Sequence, residues 1–357
     1  MRIIFFSAML AALMLQVAGQ TLQAQDKRWT EKKAQEWYAK QGWLSGCNYQ
    51  PSTAINQLEM FQKETFDIPT IDRELGWAEK LGFNTMRVYL HHILWTTDKE
   101  GFKKRLNEYL AVSSKHGIKT LFVFFDDCWN DTYSPGKQPD PKPGVHNSGW
   151  VRDPGTMIYT HPDTLVVLEK YVKDILTTFG KDNRILLWDL YNEPGNNAQH
   201  DKSLPLLKKV FEWAREANPS QPVSAGIWNG SPAFANLNKF QLDNSDVITY
   251  HHYRYIDEHR HVIDTLARRN RPLICTEYMA RRNASLFQTT MPMLKEKHVA
   301  AINWGFISGK TNTIFAWDTP IPSGKEPELW FHDILRKDGT PFSEDEVALI
   351  KKVNGKK

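Results

Sequence analysis

The sequence predicts an α/β protein, a single (β/α)8 TIM barrel with long connections after its third and eighth strands. Three observations predict it. Apolar runs of strand length alternate with amphipathic helical segments eight times, the signature of parallel strands joined by crossover helices. No Pro-, Gly- or Ser-rich linker divides the repeats, and 357 residues suit one barrel with insertions. The first strand is followed by Cys47-Asn48-Tyr49-Gln50-Pro51, where a doubly wound sheet would want a glycine-rich phosphate loop.

Residues 1–24 read as a signal peptide. Arg2 gives a positive start, Ile3–Leu15 is almost unbroken apolar chain, and small-residue cleavage options follow at Gly19 and Ala24. About 13 apolar residues are too few to span a bilayer, which takes about 20. Export without stable membrane insertion is therefore expected, to the periplasm, cell surface or medium of a bacterium. Residues 25–357 form the catalytic domain.

After a polar helical lead-in over 26–41, strands are predicted at 43–48, 84–90, 120–126, 185–191, 222–227, 247–252, 272–278 and 300–306. Each is an apolar run with little alternation, as a strand covered on both faces requires. The intervening helices are predicted at 71–81, 101–115, 163–179, 203–217, 232–240, 258–269 and 286–297, with a closing helix at 344–352. Gly82, Gly117 and Gly180 stop three of them.

Composition narrows the function. A net charge of +4 with scattered lysines offers no basic stripe for nucleic acid. Cys47, Cys128 and Cys275 are odd in number and lie in or beside apolar runs, so they read as small core residues rather than a disulfide framework. The 13 Trp, 12 Tyr and 18 Phe exceed what a core needs and leave aromatics to line a cleft. Trp129, Tyr133, Trp150 and Tyr159 fall in the connection 127–162, and Phe315 and Trp317 in the connection 307–328. Long aromatic loops belong at the C-terminal face of a barrel, where active sites sit.

The strand ends carry the chemistry. The fourth reads Ile185-Leu186-Leu187-Trp188-Asp189-Leu190-Tyr191-Asn192-Glu193-Pro194. Pro194 cannot continue a ladder and disfavours helix at the residue before it. Glu193 is thus left at the lip of a buried strand, where partial desolvation raises a carboxyl group's pKa. The second strand places Arg87 inside an apolar run, the sixth ends in His251-His252-Tyr253, the seventh in Glu277 and the eighth in Trp304. In a barrel these ends share one mouth. Two carboxyl groups across one pocket are the requirement for glycoside hydrolysis. Glu277, held ionised by Arg87 and a hydrogen bond from Tyr253, would be the nucleophile; Glu193, with no cation in view, would be the acid/base.

These residues resemble the retaining glycoside hydrolases of clan A, (β/α)8 barrels with an Asn-Glu pair ending strand four, and most of all glycoside hydrolase family 5, the cellulase family. Gly82-Phe83-Asn84-Thr85-Met86-Arg87 is similar to the family's Gly-Phe-Asn-x-x-Arg, and His251 and Tyr253 to its H-x-Y. Glu277 and Trp304 fall where it carries a glutamate and a tryptophan. The resemblance implies that Asn192 binds the substrate 2-hydroxyl and that Trp304 stacks under the sugar being cleaved. It departs at strand three, where Asp126-Asp127-Cys128-Trp129 lacks the family's usual histidine. Asn48, Trp129, Trp150 and Trp317 are further candidates to face the mouth.

Blander assignments compete. Arg87 could neutralise Asp189, on the same face of strand four as Glu193. Asp126, Asp127 and Asp131 lack the spacing of a calcium loop and read as a solvated acidic loop. Neighbouring strand residues point to opposite faces, so neither His91-His92 nor His251-His252 should present both rings to one metal. No metal and no cofactor are expected. A non-catalytic carbohydrate-binding barrel is the alternative function, although such barrels usually lose a carboxylate and both are present here. The expected protein is a monomeric retaining β-glycosidase whose partner is a β-linked glycan (cellulose-, mannan- or xylan-like). Loop side chains set the sugar and the endo or exo action.

Overall fold

The computed structural model describes residues 27–356; the signal-peptide assignment to 1–24 lies outside the described residues. Eight parallel strands form one sheet: β1 (Ser45–Asn48), β2 (Thr85–Tyr89), β3 (Lys119–Asp126), β4 (Ile185–Asn192), β5 (Val223–Ser224), β6 (Ile248–His251), β7 (Leu273–Glu277) and β8 (Ala300–Asn303). Their order is β5-β4-β3-β2-β1-β8-β7-β6, and a parallel bridge between Ile227 and Tyr250 closes the ring. The predicted fifth strand, 222–227, shrinks to two regular residues plus that bridge. There the Ser224 hydroxyl bonds the Val247 carbonyl (2.9 Å) and the Thr249 hydroxyl (2.8 Å), adding side-chain links to the backbone bonds from Ile227 N–H to the Thr249 carbonyl (3.2 Å) and from His251 N–H to the Ile227 carbonyl (2.9 Å).

Strand alternation sorts the core into two layers. Leu121, Val123 and Leu187 face the barrel interior with Ile274 and Ile302. Phe122, Phe124 and Trp188 face outward; both phenylalanines stack on Trp188, and Phe124 meets Tyr171 of helix Thr164–Phe179 edge-on. The lead-in helix Glu31–Ala39 closes the floor of the barrel, with Trp29 and Ala34 buried in the interior layer. Trp29 N–H donates to Asp246 Oδ1 (2.8 Å) and Arg28 Nε to the Ser245 carbonyl (2.8 Å).

Helix ends shift for identifiable reasons. Helix Ile68–Leu81 begins three residues before the predicted start because the Asp67 carboxylate caps Thr70 N–H and Pro69 occupies the first turn. It stops at Gly82 with φ 78°, a left-handed position that suits glycine. Helix His92–Lys115 starts nine residues earlier than predicted, capped by His91 and kinked at Asp98.

The connections after β3 and β8 are joined to each other. Asn147 N–H donates to the Thr311 carbonyl (2.8 Å) and Ile321 N–H to the Gly144 carbonyl (3.0 Å). His146 Nδ1 donates to the Phe315 carbonyl (2.8 Å) and Asn312 Nδ2 to the Lys142 carbonyl (2.9 Å). A third segment backs them: Lys310 N–H meets the Ser52 carbonyl (3.1 Å), and Asn56 Nδ2 the Gly149 carbonyl (2.8 Å). Among the described residues no helix is long and apolar enough to cross a membrane.

Candidate active site

Strand register brings the functional side chains to one level. Asn48 lies opposite Arg87 across β1 and β2, Asp126 opposite Asn192 across β3 and β4, and His251 opposite Glu277 across β6 and β7. Glu193 turns out of line just past β4 with φ 44°. A non-glycine residue there costs about 1–3 kcal/mol and persists only where its surroundings hold it. Here Pro194 forbids the helical alternative, and the Glu193 carbonyl is tied to Asn196 N–H (3.0 Å).

Glu277 is surrounded by donors. Its Oε1 accepts from Arg87 Nη1 (2.8 Å) and the Tyr89 hydroxyl (3.0 Å), and its Oε2 from the Tyr253 hydroxyl (2.6 Å). Burial, then the facing Glu277 charge, pushes the Tyr253 phenol well above its ordinary pKa, so it stays a donor. Arg87 is fully buried. Its other hydrogen bonds reach Asp189 Oδ2 (2.8 and 3.1 Å), Asn192 Oδ1 (2.7 Å) and Asn48 Oδ1 (2.9 Å). The two assignments weighed for Arg87, a partner for Asp189 and a partner for Glu277, are thus both realised.

Glu193 has no charged partner. Its Oε2 accepts from the Cys128 thiol (3.2 Å) and Asn196 Nδ2 (2.6 Å), and its Oε1 lies 2.8 Å from His251 Nδ1. Burial raises its pKa, outweighing the two donated hydrogen bonds and the charge of Arg87. Burial also pushes His251 down to about 4, so the ring is neutral at ordinary pH. The same Nδ1 lies 3.4 Å from Glu277 Oε2. One oxygen of each glutamate and one His251 nitrogen lie within 4.8 Å of one another. Three such atoms could ligate a metal, but the Arg87 guanidinium already serves Glu277 and a second cation beside it would be opposed.

Several sequence expectations need correction. Arg87 and Asn48 do not line the cavity above Glu193 and Glu277: every polar group of Arg87 is taken, and Asn48 Nδ2 is spent on the Thr276 (2.8 Å) and Asn303 (3.2 Å) carbonyls. Asp126 and Asp127 are buried rather than solvated. Asp126 accepts from Asn192 Nδ2 (2.9 Å) and Trp150 Nε1 (2.8 Å), and burial still lifts it to about 7. Asp127, lifted to about 6 by burial, pins Gly195 N–H (2.7 Å) and so braces the turn after Glu193. Cys128 is no inert core residue, since its thiol touches the acid/base candidate; all three thiols are free. His91 and His92 do not diverge. His91 already caps a helix, so the strand rule fails there, and the two rings stack at 5.1 Å beside Asp153. Both His91 nitrogens are occupied, by the Arg152 carbonyl (2.9 Å) and Ile93 N–H (3.2 Å).

A cavity of about 390 Å³ opens over the pair, lined by Glu193, Glu277, Asn192, Tyr253 and a ring of tryptophans. Trp129, Trp150, Trp304 and Trp317 all line it. Trp150 is mostly packing: it is buried, edge-on to Tyr89 (4.9 Å) and Trp304 (5.8 Å). The sequence reading missed Tyr89, Cys128, Asn196, His146 and Trp228. Tyr89 was accessible, since it lies two residues after Arg87 on the same strand face; Asn196 had no signal beyond its turn.

Comparison with known proteins supplies the remaining findings. A family model described as cellulase, glycosyl hydrolase family 5, matches residues 58–310. No curated protein sequence matches. Among solved structures, the endo-β-1,4-mannanase of Thermotoga petrophila superposes with a TM-score of 0.57 at 14% identity, over 89% of this chain and 77% of that one. An exo-β-1,4-mannosidase from Opitutaceae bacterium strain TAV5 gives 0.58 at 16% identity, over 88% and 60%. A family 5 mannosidase from Rhizomucor miehei gives 0.55 at 14% identity, over 88% and 92%. At such identities the likeness is one of fold.

Proposed function

The chain belongs to glycoside hydrolase family 5, and from that premise we propose a retaining β-glycosidase that cleaves a β-linked poly- or oligosaccharide by double displacement. The observation that carries the proposal is the closeness of the two carboxylates, with oxygens within 4.8 Å. Retention needs carboxyl groups about 5–5.5 Å apart; inversion needs about 6.5–9.5 Å, to seat a water between them. The environments divide the roles. Glu193, raised by burial against the weaker opposing pull of two hydrogen bonds and of Arg87, which it does not contact, holds the proton that the leaving oxygen needs. Glu277, which receives only donated hydrogen bonds, attacks the anomeric carbon. Once the leaving sugar departs, Glu193 takes the proton of the water that releases the glycosyl group.

Reducing-sugar release from β-mannans, β-glucans, xylans and galactans tests this, with Glu277→Ala in parallel. β-Mannans come first, because the structural neighbours named above are mannanases and mannosidases. Glu277→Ala should lose turnover on the substrate identified; ordinary activity would sink the assignment. Glu193→Ala should still release an excellent leaving group in the first step. Equal damage to good and poor leaving groups would remove Glu193 from the acid role. We also propose that the enzyme acts after export, from the composition of residues 1–24. N-terminal sequencing of the mature chain tests that: a start after Gly19 or Ala24 supports it, and an intact Met1 in the producing cell refutes it.

A further inference from the structure

We propose that the enzyme is exo-acting, removing single sugars from the non-reducing end of a β-linked chain. This rests on the retaining glycosidase reading. In-line displacement sends the leaving group away from Glu277, past the proton donor Glu193. The leaving sugar therefore lies on the β4–β5 side of the mouth, and the retained sugar lies over Glu277 with its non-reducing end pointing the opposite way.

The two sides of the cavity differ. Beyond Glu193 the lining is Asn196, Asn197 and Trp228, and the chain that follows, 230–233, is exposed. That side is open. On the opposite side stand Asn147, Trp150 and Trp304. They are held by the joined connections after β3 and β8, tied by the four hydrogen bonds given above and backed by the Ser52–Asn56 segment. With its amide oriented to satisfy both neighbours, Asn147 accepts from Trp129 Nε1 (3.2 Å) and donates to the Thr311 carbonyl (3.3 Å). The same three residues also line a second, narrow cavity of about 20 Å³, shared with Asn48, Tyr49 and Thr311. That volume holds one water molecule, not another sugar. A chain extending past the retained sugar meets a braced wall, and the position where an internal cleavage would seat its next unit is filled by protein.

The join has a weak point that can be forced. Gly144 sits at φ 66°, and a Cβ there would lie 1.7 Å from the Ile321 carbonyl oxygen. Gly144→Val therefore wedges the two connections apart at a contact, Gly144 to Ile321, of which neither residue lines the cavity.

The experiment uses the full enzyme with mannohexaose, cellohexaose and xylohexaose, each β-1,4-linked and labelled at the reducing end with 2-aminobenzamide. 4-Nitrophenyl β-glycosides of single sugars are run beside them. Early products are separated by mass. An exo enzyme releases unlabelled monosaccharide and leaves a labelled pentasaccharide. Unlabelled di- or trisaccharides at the earliest times would overturn the inference while leaving the glycosidase reading intact. Silence on every oligosaccharide and every nitrophenyl glycoside would overturn the glycosidase reading, and this one with it. Gly144→Val should keep nitrophenyl glycoside turnover within about threefold and begin to release di- and trisaccharides. Monosaccharide as the sole product of that variant would show that the joined connections do not set the mode of attack.

Discussion

Tyr253→Phe is the most informative single substitution in the site. It removes one hydroxyl and keeps the ring against Trp317 and His332. The lost contact is the 2.6 Å hydrogen bond to Glu277 Oε2. The nearest other nitrogen to that oxygen is His251 Nδ1 at 3.4 Å, and Arg87 and Tyr89 both serve Oε1. A hydrogen bond to a charged group contributes about 1.5–3 kcal/mol, and a factor of ten in rate corresponds to about 1.4 kcal/mol. The expected loss in kcat/KM is therefore about 10- to 150-fold. Folding should barely notice. About 2.1 cal/mol/K per residue over residues 27–356 gives about 0.7 kcal/mol/K, so even 1 kcal/mol moves Tm by only about 1.5 °C. The assay is kcat/KM across aryl glycosides of graded leaving-group quality. Because the hydroxyl serves the nucleophile, the deficit should be the same for good and poor leaving groups, unlike that of Glu193→Ala. A loss under twofold, or one that grows as the leaving group worsens, would refute the reasoning.

Other expectations follow from the same network. Arg87→Met leaves the buried Asp189 carboxylate without its cation, which costs about 3–5 kcal/mol, and strips a donor from both Asn48 and Asn192. The sum approaches the whole stability of a typical domain, so soluble yield should collapse; a folded variant with near-normal Tm would contradict it. Cys128→Ser replaces a weak thiol donor to Glu193 Oε2 with a stronger one and should move the basic limb of the pH–kcat/KM profile to lower pH. Cys128→Ala should move that limb the opposite way, and a common direction for both would dissociate the thiol from Glu193. Asp126, lifted to about 7 from 3.8, keeps its proton in the fold at pH values where the unfolded chain has released it. Its contribution is complete below about pH 4 and is lost as pH rises through 7, at up to about 1.4 kcal/mol per pH unit. Asp126→Asn should therefore make Tm less dependent on pH between 4 and 7, by about 2 °C per unit; an unchanged slope would contradict it.

What the sequence disclosed follows from what period-two logic can reach. Strand order, barrel closure and the convergence of Arg87, Glu193, His251, Tyr253 and Glu277 depend on regular strands whose ends share one face, and a single chain displays that. Cys128 and Asn196 lie on irregular backbone, with Trp129 and Glu193 at positive φ on either side, and no periodic rule aims a side chain there. The burial of Asp126 and Asp127 was hidden for a similar reason. Two adjacent acids read as exposed until the partners that bury them, Asn192, Tyr191 and Ser203, are brought in from 64 to 76 positions away. The joining of the two long connections depends on backbone carbonyls, which carry no sequence label.

The floor of the barrel bears on how the molecule is made. Trp29 is fastened by Asp246, and its carbonyl accepts from Arg271 Nη2 (2.9 Å), 217 and 242 positions further along. A chain that emerges amino end first must carry this aromatic anchor without a seat until the sixth and seventh strands exist. The earliest described segment to appear thus waits for the last third of the chain to supply its seat.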